Sequence, residues 1–432
     1  MQKTQEYIKQ HRNDDVYRLA LAKTPEGVDL QYALQQIAAY QTIEKKIPSW
    51  AECDELVFPP KLSLEQSSSE LTALYKSALI EEFMGNKGFT LIDLTGGMGI
   101  DCYFIAQNAS ASHYVEQNAD LCQIAQHNFA HLNPNIAVHN TTAEEFLNKI
   151  TNSNQLFIAS LKDSCNAQHN EQAPSALAYS KNSALIYLDP ARRGNHGEKL
   201  VSISDCQPDV VALLPQMFEI TDKVVVKLSP MLDITRAIGE LEHIEHLYVI
   251  SVGNECKELL LFINREYDGE TQIHAVNLKQ STEYRVQSTD DIQLLTGTLS
   301  HEAALTIPYA REVGKYLYEP YAAHLKSGLY KTIAQKYEVS KLHQHSHLYT
   351  SMELNSEFPG RQFRVTEVVP FNKKSIKTFF KEHPKANLTT RNFPLTVSQI
   401  RTQYKIKEGG EQYIFATTLH DDSLVLIRSE KA

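Results

Sequence analysis

The stretch from Leu91 to Asp101 reads LIDLTGGMGID, an apolar run that ends in an acid and continues into a glycine-rich turn. The apolar run predicts a buried strand, and the turn opens a helical pattern. Gly96, Gly97 and Gly99 permit positive φ angles and a close approach of backbone to a ligand, while N–H groups at a helix start favour polar or anionic groups. The stretch therefore predicts a ligand-binding loop, although such a loop alone serves a dinucleotide equally well.

Beyond this loop the chain alternates short apolar runs with helical stretches. Strands are predicted at residues 89–94, 111–115, 136–139, 184–188, 223–228, 246–252 and 258–264. The alternation is typical of a mainly parallel sheet covered by helices on both faces, so the expected fold class is α/β. The last two runs leave no room for a helix between them, and they predict an antiparallel hairpin at an edge of the sheet.

Two acids end predicted strands of this sheet. The strand after the glycine turn ends in HYVEQN, which places Glu116 about 20 residues beyond the turn, where a carboxylate can accept hydrogen bonds from both hydroxyls of a ribose. Residues 184–197 read ALIYLDPARRGNHG, so Asp189 ends the fourth strand and Arg192 and Arg193 follow it. Because ligands of such sheets lie outside the carboxyl ends of the strands, the turn and this stretch should face one pocket. The guanidinium groups suit a phosphate or a base, and a salt bridge to acidic residues is the alternative.

The composition is typical of a folded protein. At 432 residues the chain predicts two to four domains, and 42% of its residues are hydrophobic and 22% charged. No run of about 18 apolar residues occurs, so we expect a cytoplasmic protein with no membrane partner. The six cysteines form no C-x-x-C pair, and we expect neither a metal site nor a disulfide framework.

The formal net charge of −10 is unevenly distributed along the chain. Residues 1–270 contain 21 basic and 36 acidic residues, whereas residues 271–432 contain 21 basic and 16 acidic ones. The segment 361–407 is strongly basic, and Glu367 and Glu382 are its only acids. Such local asymmetry can bind a polyanion, and a solvated helix face is the alternative. The candidate contacts in this segment are Arg361, Lys373, Lys374, Lys377 and Arg391.

The residues before and after the predicted sheet in the sequence have different secondary-structure patterns. Helical spacing and proline breaks predict several helices between residues 7 and 85. After residue 267 we predict a strand at 272–278, a helix at 319–337, strands at 347–352 and 362–370, a helix at 373–383, a strand at 386–392, a helix at 396–404 and a hairpin around Gly409-Gly410. This order is compatible with a small ferredoxin-like α+β layer. The motif HQHSH (His343, His345, His347) is predicted to lie on one face of a strand or in a polar loop, without a metal.

The loop DLTGGMGID resembles the D-x-G-x-G-x-G motif of class I S-adenosylmethionine (SAM) methyltransferases, with Thr95 in place of the first glycine. The resemblance implies that the cofactor-binding residues are Asp93, Thr95, Gly96, Gly97, Gly99, Asp101, Glu116, Glu144 and Asp189. Capping of the loop and the helix is the alternative for Asp93 and Asp101, and the adenine contact falls on Thr142 or Glu144. Asp189-Pro190 resembles the first half of the [D/N]-P-P-[Y/F/W] motif of amino-group methyltransferases. The catalytic candidates are Asp189, Arg192 and Arg193.

Two other stretches are expected near the same pocket. Lys227, Ser229 and Asp233 follow the fifth strand, and the absence of a cysteine there disfavours the covalent chemistry of the D-P-P-R uracil-C5 methyltransferases. Glu70 and Lys76 are expected to cover the cofactor; helix capping by Ser68 beside a solvated lysine is the alternative.

Motifs along almost the whole chain resemble one family, the SAM-dependent methyltransferases with a THUMP-like domain, of the type found in Bacteroidetes. They are LSLEQSSSELTALYKS, DLTGGMGID, YLDPARRG, VKLSPMLDI, SVGNECKELLLF, FPGRQFRV and NLTTRNFPL. The resemblance implies a helical domain at 1–86, a Rossmann-like methyltransferase domain at 87–267, a ferredoxin-like α+β domain at 268–358 and a THUMP-like domain at 359–432. Because THUMP domains in general bind RNA, it also implies an RNA partner.

The resemblance and the basic segment together predict N-methylation of a base in tRNA or rRNA, with guanine as the preferred base. Asp189 would orient the exocyclic amine, since alignment with a strong electrophile supplies much of the rate. Two alternatives stay open. One is a methyltransferase of a small anionic or protein substrate, whose carboxylate Arg192 and Arg193 would hold. The other is a SAM-binding, RNA-associated protein without catalysis.

Overall fold

The computed structural model describes residues 2–85, 87–132, 135–152, 183–192, 202–279 and 292–432. Contacts divide these residues into two units. The first unit comprises the described residues up to His246 together with Leu259–Gly269, and the second comprises Leu247–Glu258, Glu270–Lys279 and residues 292–432. No helix within the described ranges is long and apolar enough to span a membrane.

The first unit begins with helices, as predicted. They are α1 (Gln2–Gln10), α2 (Val16–Leu21), α3 (Leu30–Lys46), α4 (Pro48–Ala51), α5 (Lys61–Gln66) and α6 (Glu70–Phe83). Their core surrounds the fully buried Trp50, and Pro48 occupies the first turn of α4, where a missing N–H costs nothing. Ser69 caps α6 in a capping box with Thr72, which leaves the neighbouring Ser68 free to turn its hydroxyl elsewhere.

A mainly parallel sheet follows in the same unit. Its strands and the helices between them are β1 (Thr90–Asp93), α7 (Ile100–Ala106), β2 (Ala111–Glu116), α8 (Ala119–Leu132), β3 (Ile136–Asn140), α9 (Ala143–Asn152), β4 (Ala184–Leu188), α10 (Val210–Ile220), β7 (Lys223–Leu228), α11 (Ile234–Glu240), β8 (Ile244–Val252) and β9 (Glu255–Asn264). β8 and β9 are each divided between the two units. β5 (Ala191–Arg192) and β6 (Cys206–Gln207) follow β4 and form a separate two-stranded antiparallel sheet. Across the sheet the strands run in the order β9-β7-β4-β1-β2-β3. β1 is parallel to β2 on one side and to β4 on the other. The order in which the chain adds strands to the sheet therefore reverses at β1. This switch point opens a crevice above the carboxyl ends of β1 and β4.

The predicted hairpin of β8 and β9 is present, but its position at the edge was wrong. β9 is antiparallel to β7, and the turn residues Gly253 and Asn254 both have positive φ, as a tight hairpin turn requires. In the second unit β10 (Gln272–Leu278) lies beside β8, and β11 (Ile292–Gly297) pairs with β10. The edge is therefore covered by strands that follow the hairpin in sequence.

The rest of the second unit is built on a seven-stranded sheet. Its elements are α12 (Leu299–Ala304), β12 (Tyr316–Pro320), α13 (Ala322–Lys326), α14 (Tyr330–Lys336), β13 (Ser340–Lys341), β14 (Tyr349–Ser351), β15 (Gly360–Pro370), α15 (Lys373–Glu382), β16 (Asn387–Arg391), α16 (Val397–Tyr404), β17 (Tyr413–Thr418) and β18 (Leu424–Lys431). The strand order is β13-β14-β12-β15-β18-β17-β16. α15 buries Ile376, Phe379 and Phe380 and leaves its other face to solvent.

Two predictions for this unit were wrong. Residues 319–337 do not form one helix, because Pro320 ends β12 and Gly328, with φ of +79°, separates α13 from α14. Gly409-Gly410 do not form a hairpin: they precede β17, which pairs in parallel with β16, and the hairpin lies between β17 and β18. His343 and His345 lie in a turn between β13 and β14, so the polar-loop interpretation of the HQHSH motif is confirmed.

Candidate functional site

The crevice above β1 and β4 contains a cavity of about 340 Å³. Residues from the carboxyl ends of β1, β2, β4 and β7 line it, together with the start of α9 and the residues Ser67 and Ser68 after α5. Of the predicted cofactor-binding residues, those on the cavity wall are Asp93, Thr95, Gly96, Gly97, Asp101, Glu116, Glu144 and Asp189. Residues from distant parts of the sequence thus meet at the edge where ligands of such sheets bind.

The glycines of the loop differ in what surrounds them: Gly99 packs against a side chain, and the backbone of Gly97 is open. Gly99 has φ of +82° at the start of α7, and a Cβ there would lie 2.5 Å from the ring of Phe129. Gly99 is not on the cavity wall, so its role in this structure is to let the helix pack. Gly97 also has a positive φ of +55°, and a Cβ on it would meet nothing closer than 3.9 Å, on the backbone of Thr95. The backbone at Gly97 is therefore open to a ligand.

Glu116 lies at the end of β2 beside this loop. One carboxylate oxygen accepts a hydrogen bond from the N–H of Gly97 (2.9 Å), and the other accepts one from the N–H of Asn118 (2.8 Å). These two bonds fix the plane of the carboxylate at the cavity wall. Each oxygen has further lone pairs, so the group can accept hydrogen bonds from a pair of neighbouring hydroxyls.

Asp93 forms the buried end of β1. Its carboxylate accepts a hydrogen bond from the N–H of Thr95 (3.0 Å). Burial raises the pKa of Asp93 well above its usual range; the Thr95 N–H opposes this shift, and the nearby carboxylates of Asp101, Asp189 and Glu116 reinforce it. Asp93 thus braces the loop, as the capping interpretation predicted, and also lies on the cavity wall.

Asp101 is the centre of a buried charge cluster. Its carboxylate lies 3.0 Å from Nζ of Lys76 and 3.5 Å from Nζ of Lys227, and it accepts hydrogen bonds from the hydroxyls of Ser68 and Tyr187, both at 2.9 Å. Burial alone would raise the pKa of Asp101, but the ammonium groups of Lys76 and Lys227 and the hydrogen bond from Ser68 lower it below its usual range. The carboxylate is therefore ionised.

Asp189 follows β4 directly and faces the cavity. Its N–H donates to Oγ1 of Thr95 (2.6 Å), which ties the end of β4 to the glycine loop. Its carboxylate forms an ion pair with Lys227, and 39% of its side chain is exposed. The prediction that the glycine turn and Asp189 share one pocket is confirmed, since both lie on the wall of the same cavity.

Of the other residues predicted near the pocket, some line the cavity and others make contacts elsewhere. Thr142 and Glu144 both line the cavity at the start of α9, so either can meet an adenine. Asp233 instead caps α11 by accepting from the N–H of Arg236 (2.9 Å), and Glu70 accepts from the N–H of Ser49 (2.9 Å). Residue 192 is described only as part of β5, which pairs with β6, and Arg193 lies outside the described residues.

Ser68 and Tyr187 were not predicted as site residues. Lys76 was predicted either to cover the cofactor or to be a solvated lysine. Lys76 has no exposed surface, so it is not a solvated lysine, and Ser69 rather than Ser68 caps α6. The sequence does contain an indication that Lys227 belongs to a site. It is a charged residue inside KVVVKL, a strand whose other residues are apolar except at its start. A charge in a buried strand needs a partner or a function.

The predicted nucleic-acid contacts in the second unit fall into two groups. Lys373, Lys374 and Lys377 lie exposed on α15. The guanidinium groups of Arg361 and Arg391 both pair with the buried carboxylate of Glu319, in each case through a nitrogen at 2.8 Å. These two arginines thus have a role within the fold, whereas the three lysines project into solvent.

The histidine motif has contacts within the fold. His343 lies 3.3 Å from the carboxylate of Asp422 and 3.0 Å from Nδ2 of Asn392. His347 stacks on the ring of Tyr330 at 3.7 Å between centroids. Within the part of the chain that the structure describes, no group of three or more His, Cys, Asp or Glu side chains is arranged to hold a metal ion.

Comparisons with known proteins agree with this architecture. Residues 316–359 match the model of a ferredoxin-like domain, and residues 360–430 match that of a THUMP-like domain. A crystal structure from Porphyromonas gingivalis W83, described as a candidate methyltransferase, is 32% identical, covers 100% of this chain and 98% of its own, and superposes with a TM-score of 0.79. A search of curated proteins finds no match.

Weaker similarities exist to other methyltransferases. A candidate RNA methyltransferase from Pyrococcus horikoshii is 15% identical over 42% of this chain and 71% of its own, with a TM-score of 0.25. TrmK from M. capricolum, solved with S-adenosyl-homocysteine, is 10% identical over 44% of this chain and 68% of its own, with a TM-score of 0.28.

The residues present suit SAM, the cofactor of the class I methyltransferases. Glu116 offers acceptors for a ribose, the uncovered backbone at Gly97 admits a close ligand, and Asp189 places a carboxylate on the wall of the same cavity. The identity and coverage of the Porphyromonas protein extend the likeness to the whole chain. The chain therefore belongs to the family of class I SAM-dependent methyltransferases that carry ferredoxin-like and THUMP-like C-terminal domains.

Proposed function

We propose that this methyltransferase N-methylates a base in tRNA or rRNA, with guanine as the preferred base. One observation carries the proposal: Asp189, directly after β4, faces the cavity beside the glycine loop and is fixed on both its backbone and its side chain. An acid in this place suits an exocyclic amine, because a carboxylate accepts a hydrogen bond from N–H.

In this proposal the residues at the carboxyl ends of β1 and β2 would hold the cofactor. Glu116 would accept hydrogen bonds from the two ribose hydroxyls, the backbone of Gly96 and Gly97 would contact the methionine part, and Thr142 or Glu144 would meet the adenine. When bound, SAM supplies an electrophilic methyl group on a sulfonium. The residues of this chain then have only to align the target nitrogen, and alignment alone can supply a large part of the rate.

Asp189 performs that alignment. Its carboxylate accepts a hydrogen bond from one N–H of the amine, which directs the nitrogen lone pair into the cavity, and it takes up the proton that the nitrogen sheds. Arg192 and Arg193 depart from the aromatic residue that amino-group methyltransferases carry here. We assign them to a phosphate of the substrate, which guanidinium groups bind in a bidentate manner.

An RNA substrate is supported by charge and by the domains. Lys373, Lys374 and Lys377 form an exposed basic group on α15, inside the segment that matches the THUMP-like model. The domain boundaries that we propose are 1–86, 87–267, 268–358 and 359–432, with RNA contacts in the last of these. We also propose that the protein acts in the cytoplasm, where tRNA and rRNA are its substrates.

The decisive experiment compares the modified nucleosides of tRNA and rRNA from a deletion strain and its parent by mass spectrometry. We expect one methylated nucleoside to disappear in the deletion strain and to return with the wild-type gene. Asp189→Ala should not restore it, although the purified variant still binds SAM. Asp268→Ala, at an exposed position between β9 and β10 and not on the cavity wall, is the matched control and should restore it. Identical nucleoside profiles in the two strains would contradict an RNA substrate and favour a small anionic or protein substrate.

A further inference from the structure

Lys227 is the charged residue nearest to Asp189 in the described cavity wall. It projects from β7, where its neighbours Val226 and Leu228 are buried, and only 11% of its side chain is exposed. Its ammonium group pairs with the carboxylate of Asp189 and lies 3.3 Å from Oγ of Ser68 and 3.5 Å from Oδ2 of Asp101. Three acceptors from three different segments therefore surround one ammonium group.

A second layer holds these acceptors. Lys76 donates to Oγ of Ser68 (2.8 Å) and lies 3.0 Å from Asp101, while Ser68 and Tyr187 both donate to Oδ2 of Asp101. The two lysines and the two aspartates balance in charge. An unpaired charge at such depth is costly, so each member of the cluster restricts the positions of the others.

Asp189 is the one carboxylate of this cluster that is substantially exposed to the cavity. An exposed aspartate ordinarily samples several rotamers, and a group that must align a substrate loses rate when it does so. Thr95 fixes the backbone of Asp189, and Lys227 fixes its carboxylate. The cluster thus prepares the acid before the substrate arrives.

We propose that Lys227 is a positioning residue for methyl transfer, which holds the carboxylate of Asp189 toward the cavity and is itself held by Ser68, Lys76 and Asp101. This inference rests on the role proposed above for Asp189. It also gives the helical segment a function, because Ser68 and Lys76 come from the residues before the sheet. The chemistry at the amine is unchanged: Asp189 accepts the hydrogen bond, and Lys227 contacts only Asp189 and the cluster.

The test uses three variants of the full chain: Lys227→Met, which keeps the length and removes the charge; Lys227→Arg, which keeps the charge; and Lys223→Met as the control. Lys223 lies on the same strand but donates to the carbonyl of Phe83 and is not on the cavity wall. Methyl transfer from labelled SAM is measured on total RNA of the deletion strain. Because a displacement of about 1 Å can cost about a hundredfold in rate, we expect Lys227→Met to lower kcat about a hundredfold. The KM values for SAM and RNA should change less than about threefold, since neither binds Lys227 in this scheme.

Lys227→Arg should recover about a tenth of the wild-type kcat, and Lys223→Met should match the wild type. A rise in KM with unchanged kcat, or wild-type kinetics in Lys227→Met, would overturn the inference. If Lys227→Met does not fold, Ser68→Ala removes one neighbour of the ammonium while the charges stay balanced. It should lower kcat three- to tenfold at unchanged KM, and an unchanged kcat would overturn the inference.

Crystal structures of the wild type and Lys227→Met, or of Ser68→Ala where that variant replaces it, separate this inference from the proposed function. If the wild-type protein methylates no RNA, the proposed function fails, and the position of Asp189 still decides the inference. We expect the Asp189 carboxylate to leave the cavity wall in the variant. A carboxylate in its wild-type position would overturn the positioning role.

Discussion

Two buried carboxylates in different regions of the molecule are each shared by two basic side chains. In the first unit Asp101 lies between Lys76 and Lys227. In the second unit Glu319 on β12 lies between Arg361 and Arg391. Both carboxylates are less than 10% exposed, so both are protected from water to a similar extent.

The two clusters differ in their cations and in what lies beyond them. Arginine presents several N–H donors on one planar group, and Arg391 donates from both Nε and Nη2 to a single oxygen, Oε1, of Glu319. Lysine is a point charge, and Lys227 reaches past Asp101 to a second carboxylate at a cavity. The arginine cluster joins strands of a sheet, whereas the lysine cluster extends to Asp189 on the cavity wall. Similar charge patterns therefore lie inside the fold in one place and beside the cavity in the other.

The largest expected effect comes from removing the two central carboxylates. Asp101→Asn and Glu319→Gln should each lower the free energy of unfolding by about 3–5 kcal/mol, because each leaves buried basic groups without compensation. Urea denaturation measures this loss. Only Asp101→Asn should also lower kcat of the folded protein in methyl transfer. Equal kcat values for the two variants would remove the contrast between the clusters.

A smaller effect is expected in the first unit from Glu116, the acid assigned to the ribose of the cofactor. Glu116→Gln should weaken SAM binding about ten- to a hundredfold, because hydrogen bonds to charged groups contribute about 1.5–3 kcal/mol. Isothermal titration calorimetry provides the measurement, and Glu319→Gln is the control that should bind SAM as the wild type does. A wild-type Kd in Glu116→Gln would show that the ribose lies elsewhere.

In the second region the exposed lysines should behave differently from the paired arginines. Changing Lys373, Lys374 and Lys377 to Ala should weaken RNA binding about tenfold and reduce the slope of log K against log salt by about 2. The matched control changes the exposed Lys23, Lys45 and Lys87 to Ala, which alters the net charge equally. Filter binding at several salt concentrations compares the two triple variants. Equal losses in both would attribute the effect to net charge alone.

The smallest effect concerns acid stability. Burial lowers the pKa of His324 to about 3, and its ring nitrogens have no hydrogen-bond partner among the described residues. Because the unfolded histidine binds protons more tightly, its contribution to stability is complete above pH 6.5 and is lost as the pH falls toward 3, by about 1 kcal/mol between pH 6.5 and 5.5.

Urea denaturation at pH 6.5 and 5.5 tests this difference. His324→Phe should reduce the loss of stability between these two values. Asp101→Asn should not change it, because the lowered pKa of Asp101 means that its contribution is lost only below about pH 3.8. A pH dependence unchanged in His324→Phe would contradict this assignment.

The parts of the site that could be predicted were those encoded in short segments. The glycine turn, Glu116 and Asp189 each follow a strand, and parallel strands bring their carboxyl ends to one edge, so a local pattern was sufficient to bring them together. The helix predicted at 319–337 was wrong because Pro320 ends a strand and Gly328, with a positive φ, separates two short helices. The charge of the basic segment could be read from the sequence. Its residue types alone did not show that Arg361 and Arg391 pair with a buried carboxylate whereas the lysines are exposed.

The sequence by itself determined the α/β order of the sheet and the positions of the glycine loop and of Asp189 at strand ends, because strand periodicity and turn residues are local properties. Only the tertiary structure decided which charges meet. Ser68, Lys76, Asp101, Tyr187 and Lys227 are separated by up to 159 residues, and Glu319 lies 42 and 72 residues from its two arginines. Coulomb energy and desolvation depend on distance and burial, and neither is a property of neighbours along the chain.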